Sequence, residues 1–296
     1  MIECGASVPG EIPRQRDIVR PDVAVVTTVD AGHLEGFGSI EKVLEEKASL
    51  LNGAPTAVVG THPPKLAEVA RRKAKKVVTA GLAGADWTAE KVELLPDGRP
   101  RFTVRGVEIE LPLPGRHMVA NALVALAVAD VVGVPLASAG PALAGASLPA
   151  GRSEIVELDG NTVINDTYNA NPQSMEVALR SLAELKGSSR AIAVLGDMGE
   201  LGATSLPAHR ATGQLVAELG IEYLFALGQY AKEIAAGALA AGMDATRVRV
   251  ATDHRDASDR LREILQGDDW ILVKGSRSMQ MERVVDALVQ AQREAS

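Results

Sequence analysis

From Thr162 onward, short apolar runs alternate with stretches of helical periodicity, and that alternation is the strongest constraint on the fold. Thr162–Ile164, Ala191–Leu195, Tyr223–Leu227, Arg247–Val250 and Trp270–Val273 read as strands. Helices are expected near 173–186, 207–219, 231–241, 256–266 and 279–292. Strands and helices in strict turn predict βαβ units and a mostly parallel sheet. The first half is more varied. Asp22–Thr28, Thr56–Gly60 and Lys76–Thr79 read as strands, and Met1-Ile2 as the last piece of a buried one. Ser39–Leu51, capped by Ser39, Leu66–Ala74, His117–Val132 and the weaker Val134–Ala144 read as helices. Arg101–Leu111 reads as a hairpin turning near Gly106. The chain is expected to cross between two domains near Pro149-Ala150-Gly151, giving 1–150 and 151–296.

Composition bounds the possibilities. Hydrophobic residues make up 46% and charged residues 23% of 296 residues, ordinary for a globular protein with a sizeable core. Only 3% are aromatic, so Ala, Val and Leu must fill that core. The net charge is -7 and no basic tract stands out, which argues against nucleic acid or a membrane surface as partner. The single cysteine, Cys4, excludes an intramolecular disulfide, fits a reducing compartment and is expected to be a small buried hydrophobe. No apolar run reaches the roughly 18 residues of a membrane span, and no signal peptide is visible. A cytoplasmic location is the expectation.

The richest segment for chemistry is Asn165-Asp166-Thr167-Tyr168-Asn169-Ala170-Asn171-Pro172. Six of the seven side chains from Asn165 to Asn171 are polar. The segment follows a strand and precedes a helix whose apolar side is Met175, Ala178, Leu179, Leu182 and Leu185. Asn171 suits the N-cap and Pro172 the first helical position. Polar groups at the carboxyl end of a strand, beside a helix N-terminus, mark the usual ligand edge of an open α/β sheet.

This segment resembles the D-Y-N-A-N-P-x-S-M signature of the Mur ligases, and five further motifs follow the same family in order. Glu3-Cys4-Gly5-Ala6 resembles E-M-G-A, and His33 to Ser39 resembles A-H-L-E-x-F-G-S. Leu113-Pro114-Gly115-Arg116-His117 through Leu123 resembles L-P-G-x-H-N-x-x-N-A-L. Gly196 to Gly202 and Val273 to Ser278 match later signatures. The resemblance implies a central Mur-ligase ATPase domain followed by a Rossmann-like C-terminal domain. It implies ATP-dependent amide formation in peptidoglycan precursor synthesis, with D-alanyl-D-alanine joined to UDP-N-acetylmuramoyl-tripeptide through an acyl phosphate. ATP and magnesium are the implied cofactors.

A phosphate-cradling loop reads G-x-x-x-x-G-K-[ST], and this chain has no Gly-Lys pair. In the family that loop lies upstream of E-M-G-A, after a domain that holds the UDP-sugar. The expectation is a Mur ligase without its N-terminal domain and phosphate loop, inactive alone, with a separately encoded N-terminal portion as one possible partner. Two other readings stay open: an amide ligase of another pathway, and a non-catalytic fragment that binds a partner.

By resemblance, Glu3 and His33 belong to a magnesium site, although imidazole is a poor magnesium ligand. Lys47 matches a family lysine that is carbamylated, which turns a cation into a magnesium-binding anion. The alternative for Lys47 is an exposed helix lysine, and Ser49 stands where the family usually has Glu. Thr28, Asp30 and Met118 also depart from the family, which has Asn, Gly and Asn there. His117 and Asn121, four apart on one helical face, are implied in adenine contact; capping and helix packing are the alternative. Arg152 can clamp phosphate oxygens and Asp166 can accept from ribose hydroxyls. Tyr168, Asn169 and Asn171 would shape the catalytic cleft. Lys274, Ser276 and Arg277 are implied in binding the dipeptide or its peptide acceptor. Asp197 and Glu200 sit in a similar Gly-rich turn, which needs no ligand to exist, and His209 follows in the next helix.

Overall fold

The computed structural model describes residues 1–295, which divide into two compact units, the first Met1–Ser147 and the second from Leu148 onward. The first unit runs α1 (Glu11–Val19), β1 (Val23–Val26), α2 (Leu34–Phe37), α3 (Ile40–Ala48), β2 (Thr56–Gly60), α4 (Lys65–Lys73) and β3 (Lys76–Ala80). It continues with β4 (Glu90–Leu94), β5 (Pro100–Val104), β6 (Val107–Glu110), α5 (His117–Val131) and α6 (Leu136–Ala142). Strands β1, β2 and β3 form a parallel sheet in that order. Successive side chains of a strand point to opposite faces. Ala24, Val26, Ala57 and Val59 therefore join Val43, Leu44, Leu66 and Val69 of α3 and α4 in one core. Val23, Val25, Val58 and Val78 turn the other way, toward α5 and the antiparallel sheet β4-β5-β6.

The second unit runs β7 (Glu154–Leu158), β8 (Asn161–Asp166), α7 (Pro172–Leu185), β9 (Ala191–Leu195), α8 (Ser205–Glu218), β10 (Tyr223–Leu227) and α9 (Ala231–Ala240). It ends with β11 (Val248–Ala251), α10 (His254–Arg262), β12 (Trp270–Lys274) and α11 (Glu282–Ala295). Its six strands lie in the order β11-β10-β9-β12-β8-β7. All neighbours are parallel except β7 and β8. Helices α7, α8 and α9 cover one face with a core that includes Leu179, Leu182, Val216 and Ile234. Helices α10 and α11 cover the other through Leu261, Val284 and Leu288. Every residue of β9 is buried, as a strand covered on both faces requires.

Helices α8 and α9 approach through two glycines. A Cβ on Gly213 would stand 1.8 Å from the Ile234 carbonyl oxygen, and one on Gly237 would stand 1.9 Å from that of Arg210. Only a residue without a side chain allows that crossing.

Several expectations need correction. Met1 and Ile2 are not a buried strand: both are exposed and pair with no neighbouring strand among the described residues. Cys4 is half-buried rather than buried. Strand β1 stops at Val26, two residues before Thr28, whose hydroxyl turns to the Asp30 carboxylate and the His62 carbonyl. Helix α1 was not expected, because its sequence is polar and holds Pro13. Its N-terminus is capped from afar, where the buried Glu46 carboxylate accepts the N–H groups of Gly10 and Ile12. Strands β4 and β7 were not foreseen either. After β12 the helix starts late, at Glu282, behind a short 3-10 turn at Arg277–Met279 and a left-handed Gln280.

Candidate functional site

Three neighbouring strands, β9, β12 and β8, each end in a polar loop at the carboxyl edge of the second sheet. These are 196–202, 275–281 and 167–171. Here β8 leads through α7 to β9 on one face, and β12, inserted later between them, leads to α11 on the other. Such a switch point opens a crevice in an α/β sheet.

Lys274, the last residue of β12, ties the edge together. Its side chain is 2% exposed, and its ammonium donates to Asp166 Oδ2 at 2.6 Å and to the Asn169 carbonyl at 2.9 Å. The other Asp166 oxygen accepts the Ser153 N–H at 3.1 Å. Both residues expected to meet ligands are thus engaged with the chain itself. Asn171 is engaged too. Its side chain accepts the Ser174 N–H, and the Ser174 hydroxyl accepts the Asn171 N–H, a reciprocal cap on α7.

The neighbouring side chains are more open. The Arg152 guanidinium lies 3.8 Å from the centroid of the exposed Tyr168 ring. Asn169 is exposed, with Oδ1 accepting the Ala170 N–H. Arg277 donates to Glu282 Oε1 at 2.8 Å. Ser276 is buried, and its N–H donates to the Asp197 carbonyl at 2.8 Å. A cleft of about 660 Å³ opens beside them, lined in part by Gly151, Glu154, Asn165, Tyr168 and Arg277. Glu154 orders its rim by accepting from Gly151 N–H and Asn165 Nδ2.

In the first unit, Glu3 is exposed and His33 occupies a left-handed turn, φ 55°, at the start of α2. Nearby, the N–H groups of Ser7 and Val8 hold the Glu11 carboxyl below its ordinary range. Among the described residues no group of three or more His, Cys, Asp or Glu could hold a metal ion. Lys47 is half-buried in the last turn of α3. Ser49 is buried, its hydroxyl donating to the Glu46 carbonyl at 2.6 Å, so it closes the helix. His117 starts α5 half-buried, and Asn121, one turn on, is exposed. Met118 is a core residue, 6% exposed.

The chain matches two family models: the Mur ligase middle domain over residues 1–129, and the glutamate ligase domain of the Mur ligases over 151–277. The chain belongs to the Mur ligase family. It is 31% identical to the UDP-N-acetylmuramoyl-tripeptide--D-alanyl-D-alanine ligase of Bacillus subtilis, covering 98% of this chain and 64% of that protein. It is 33% identical to the enzyme of the same name from Escherichia coli, covering 97% and 64%. The chain thus spans a little under two thirds of the length of these relatives. The crystal structure of MurF from Acinetobacter baumannii superposes with a TM-score of 0.86 at 29% identity, covering 97% of this chain and 63% of that one. MurF from Thermotoga maritima, in complex with ADP, shares the fold with a TM-score of 0.87 at 23% identity.

Within this Mur ligase frame, the second unit brings together Arg152 with Tyr168, and Asp166 with Lys274 and Asn169. Sequence reasoning missed Ser153 and Glu154, which hold Asp166 and Asn165. Neither carries a motif, and their partners lie on the adjacent antiparallel strand, so no local pattern could reveal them. No described helix is long and apolar enough to cross a membrane.

Proposed function

We propose that this chain provides the middle and C-terminal domains of an ATP-dependent ligase that adds D-alanyl-D-alanine to UDP-N-acetylmuramoyl-tripeptide. The observation that carries the proposal is the gathering of three family motifs at one sheet edge, tied through Lys274 and Asp166. Relatives matched along nearly the whole chain and bearing that activity as their name support it. ATP would transfer its γ-phosphoryl group to the acceptor carboxylate, leaving ADP and an acyl phosphate; the dipeptide amine would then attack the acyl carbon, forming the amide, losing a proton and expelling phosphate.

In this reading the residues divide by task. Lys274 and Asn171 hold the loop after β8, so that Asn169 and Tyr168 keep a fixed place. Tyr168 orients Arg152, whose guanidinium suits phosphate oxygens. Arg277, braced by Glu282, suits the carboxylate of the peptide substrate. His117 and Asn121 offer polar groups to a base. Lys47, as a carbamate, would carry negative charge toward a metal, and Glu3 and His33 would need further ligands to complete such a site.

The experiment is a chimera that joins the N-terminal third of the Bacillus subtilis relative to this chain, assayed by mass spectrometry for the pentapeptide product. Product is expected from the chimera with ATP, and none from this chain alone, which has no Gly-Lys phosphate loop. A folded chimera that binds ATP and makes no product would overturn the proposal, and so would turnover by the chain alone.

A further inference from the structure

The loop after β9 is held by more bonds than its Gly-rich sequence suggests, and a histidine outside every motif supplies one of them. Gly196 N–H donates to the Lys274 carbonyl at 2.7 Å. The Asp197 carboxylate accepts the N–H groups of Gln229 at 2.7 Å and Tyr230 at 3.0 Å, in the loop after β10. Its carbonyl accepts from Ser276 N–H. A further bond is the Met198 N–H donating to His209 Nε2 at 2.8 Å.

His209 lies in α8 and is fully buried. A backbone N–H can only donate, so Nε2 accepts and carries no proton. The proton is then on Nδ1, which stands 2.6 Å from the Ser205 carbonyl and donates to it. One tautomer alone satisfies both contacts. The ring is fixed in rotation as well, because it stacks on Tyr230 with centroids 4.5 Å apart. Tyr230 precedes α9, which the glycine crossing presses against α8. The imidazole therefore sits where α8, the loop after β9 and the loop after β10 meet.

We propose that His209 is a positioning residue: its Nδ1–H tautomer pins the 196–202 loop and, through the Asp197 carbonyl, sets the Ser276 backbone at the substrate edge. The pin follows from the geometry; its service to a peptide substrate rests on the ligase reading above. A Leu or Phe of similar bulk would fill the space and leave Met198 N–H without an acceptor, whereas Gln carries an acceptor at the position of Nε2.

The test is NMR of the full chain. Ring nitrogen spectra of the wild type are expected to show a protonated Nδ1 and a bare Nε2. His209→Phe is expected to speed exchange of the Met198 amide by roughly tenfold, the loss of about one buried hydrogen bond, and to perturb Ser276, while Ala193 in β9 keeps its protection. His209→Gln is expected to restore most of the Met198 protection. Unchanged Met198 exchange in His209→Phe, or a protonated Nε2 in the wild type, overturns the proposal. Should His209→Phe not fold, the ring spectrum and His209→Gln still decide. Adding D-alanyl-D-alanine to the wild type separates the two claims. A Ser276 amide that responds supports the positioning role, and an intact pin with no response removes its service to the dipeptide, while failure of the chimera is what overturns the ligase reading.

Discussion

Replacing Lys274 by Met removes one ammonium from a place where water cannot replace it. The side chain is 2% exposed and its partner Asp166 is 16% exposed, with 2.6 Å between Nζ and Oδ2. The methionine leaves Oδ2 without its donor and the Asn169 carbonyl without its own. Breaking a buried pair by removing one partner costs about 3–5 kcal/mol. Asp166 keeps some water and the Ser153 N–H, so the lower end applies, about 3 kcal/mol. Asp166→Asn leaves the buried ammonium with neutral acceptors only and is expected to cost about 2 kcal/mol. With both charges gone the penalty is shared, so the double variant should cost about 2 kcal/mol less than the sum of the singles. Urea unfolding of the full chain in a Trp87→Phe background measures this through Trp270, which opens the same strand as Lys274. A loss under about 1 kcal/mol in Lys274→Met, or strict additivity, would refute the reasoning.

Four further outcomes are expected. Gly213→Ala puts a methyl 1.8 Å from the Ile234 oxygen, so α8 and α9 must part; a loss of about 1–3 kcal/mol is expected in urea melts, and a neutral substitution would contradict the crossing. The Asp86 carboxyl is held below its ordinary 3.8 by N–H and then hydroxyl donation from Thr79. Its contribution is present above that value and fades as pH falls through the lower folded-state pKa, so Asp86→Asn should flatten the acid limb of urea midpoints between about pH 2 and 5. An unchanged limb would count against the contact. Residues 148–296 have their own sheet and two cores, and should unfold cooperatively as a separate piece; a broad, non-cooperative melt would argue otherwise. In the chimera, Lys47→Ala should lose activity and a short-chain carboxylic acid should restore part of it by filling the anion's place. Full activity without additive would remove a carbamate from the mechanism.

What could be read in the sequence was what depends on neighbours in sequence. Strands β9, β10 and β12 stood out because both their faces are covered, which makes them apolar, β12 as far as Val273. Helix α7 was visible from its own cap, Asn171-Pro172 with Ser174. Helix α1 was not, since its cap is Glu46, more than thirty residues downstream. Lys274 is the clearest case at the site. Beside a Gly-rich turn a lysine looks like a ligand contact, and only the placing of β12 against β8 reveals that it faces Asp166 instead. Ser49 was read as a missing acid; in the fold its hydroxyl closes a helix. Met118 was read as a lost asparagine; it is part of the core.

The place of β12 also orders events during synthesis. Val273 pairs with Asn165 on one side and with Val194 on the other, so the last strand made fills the middle of the sheet. Until it leaves the ribosome, β7-β8 and β9-β10-β11 are two separate ribbons, each with an open backbone edge facing a gap one strand wide. Lys274 follows Asp166 by 108 residues, a wait of roughly 5–20 s at ordinary translation rates of 5–20 residues per second. During that time the nascent chain exposes two sticky edges that match any passing strand, including the same strand on a neighbouring nascent chain. A stop codon or a stall before Trp270 would leave not a smaller sheet but two unmatched halves, and such products should go to proteases or aggregates rather than persist as folded fragments.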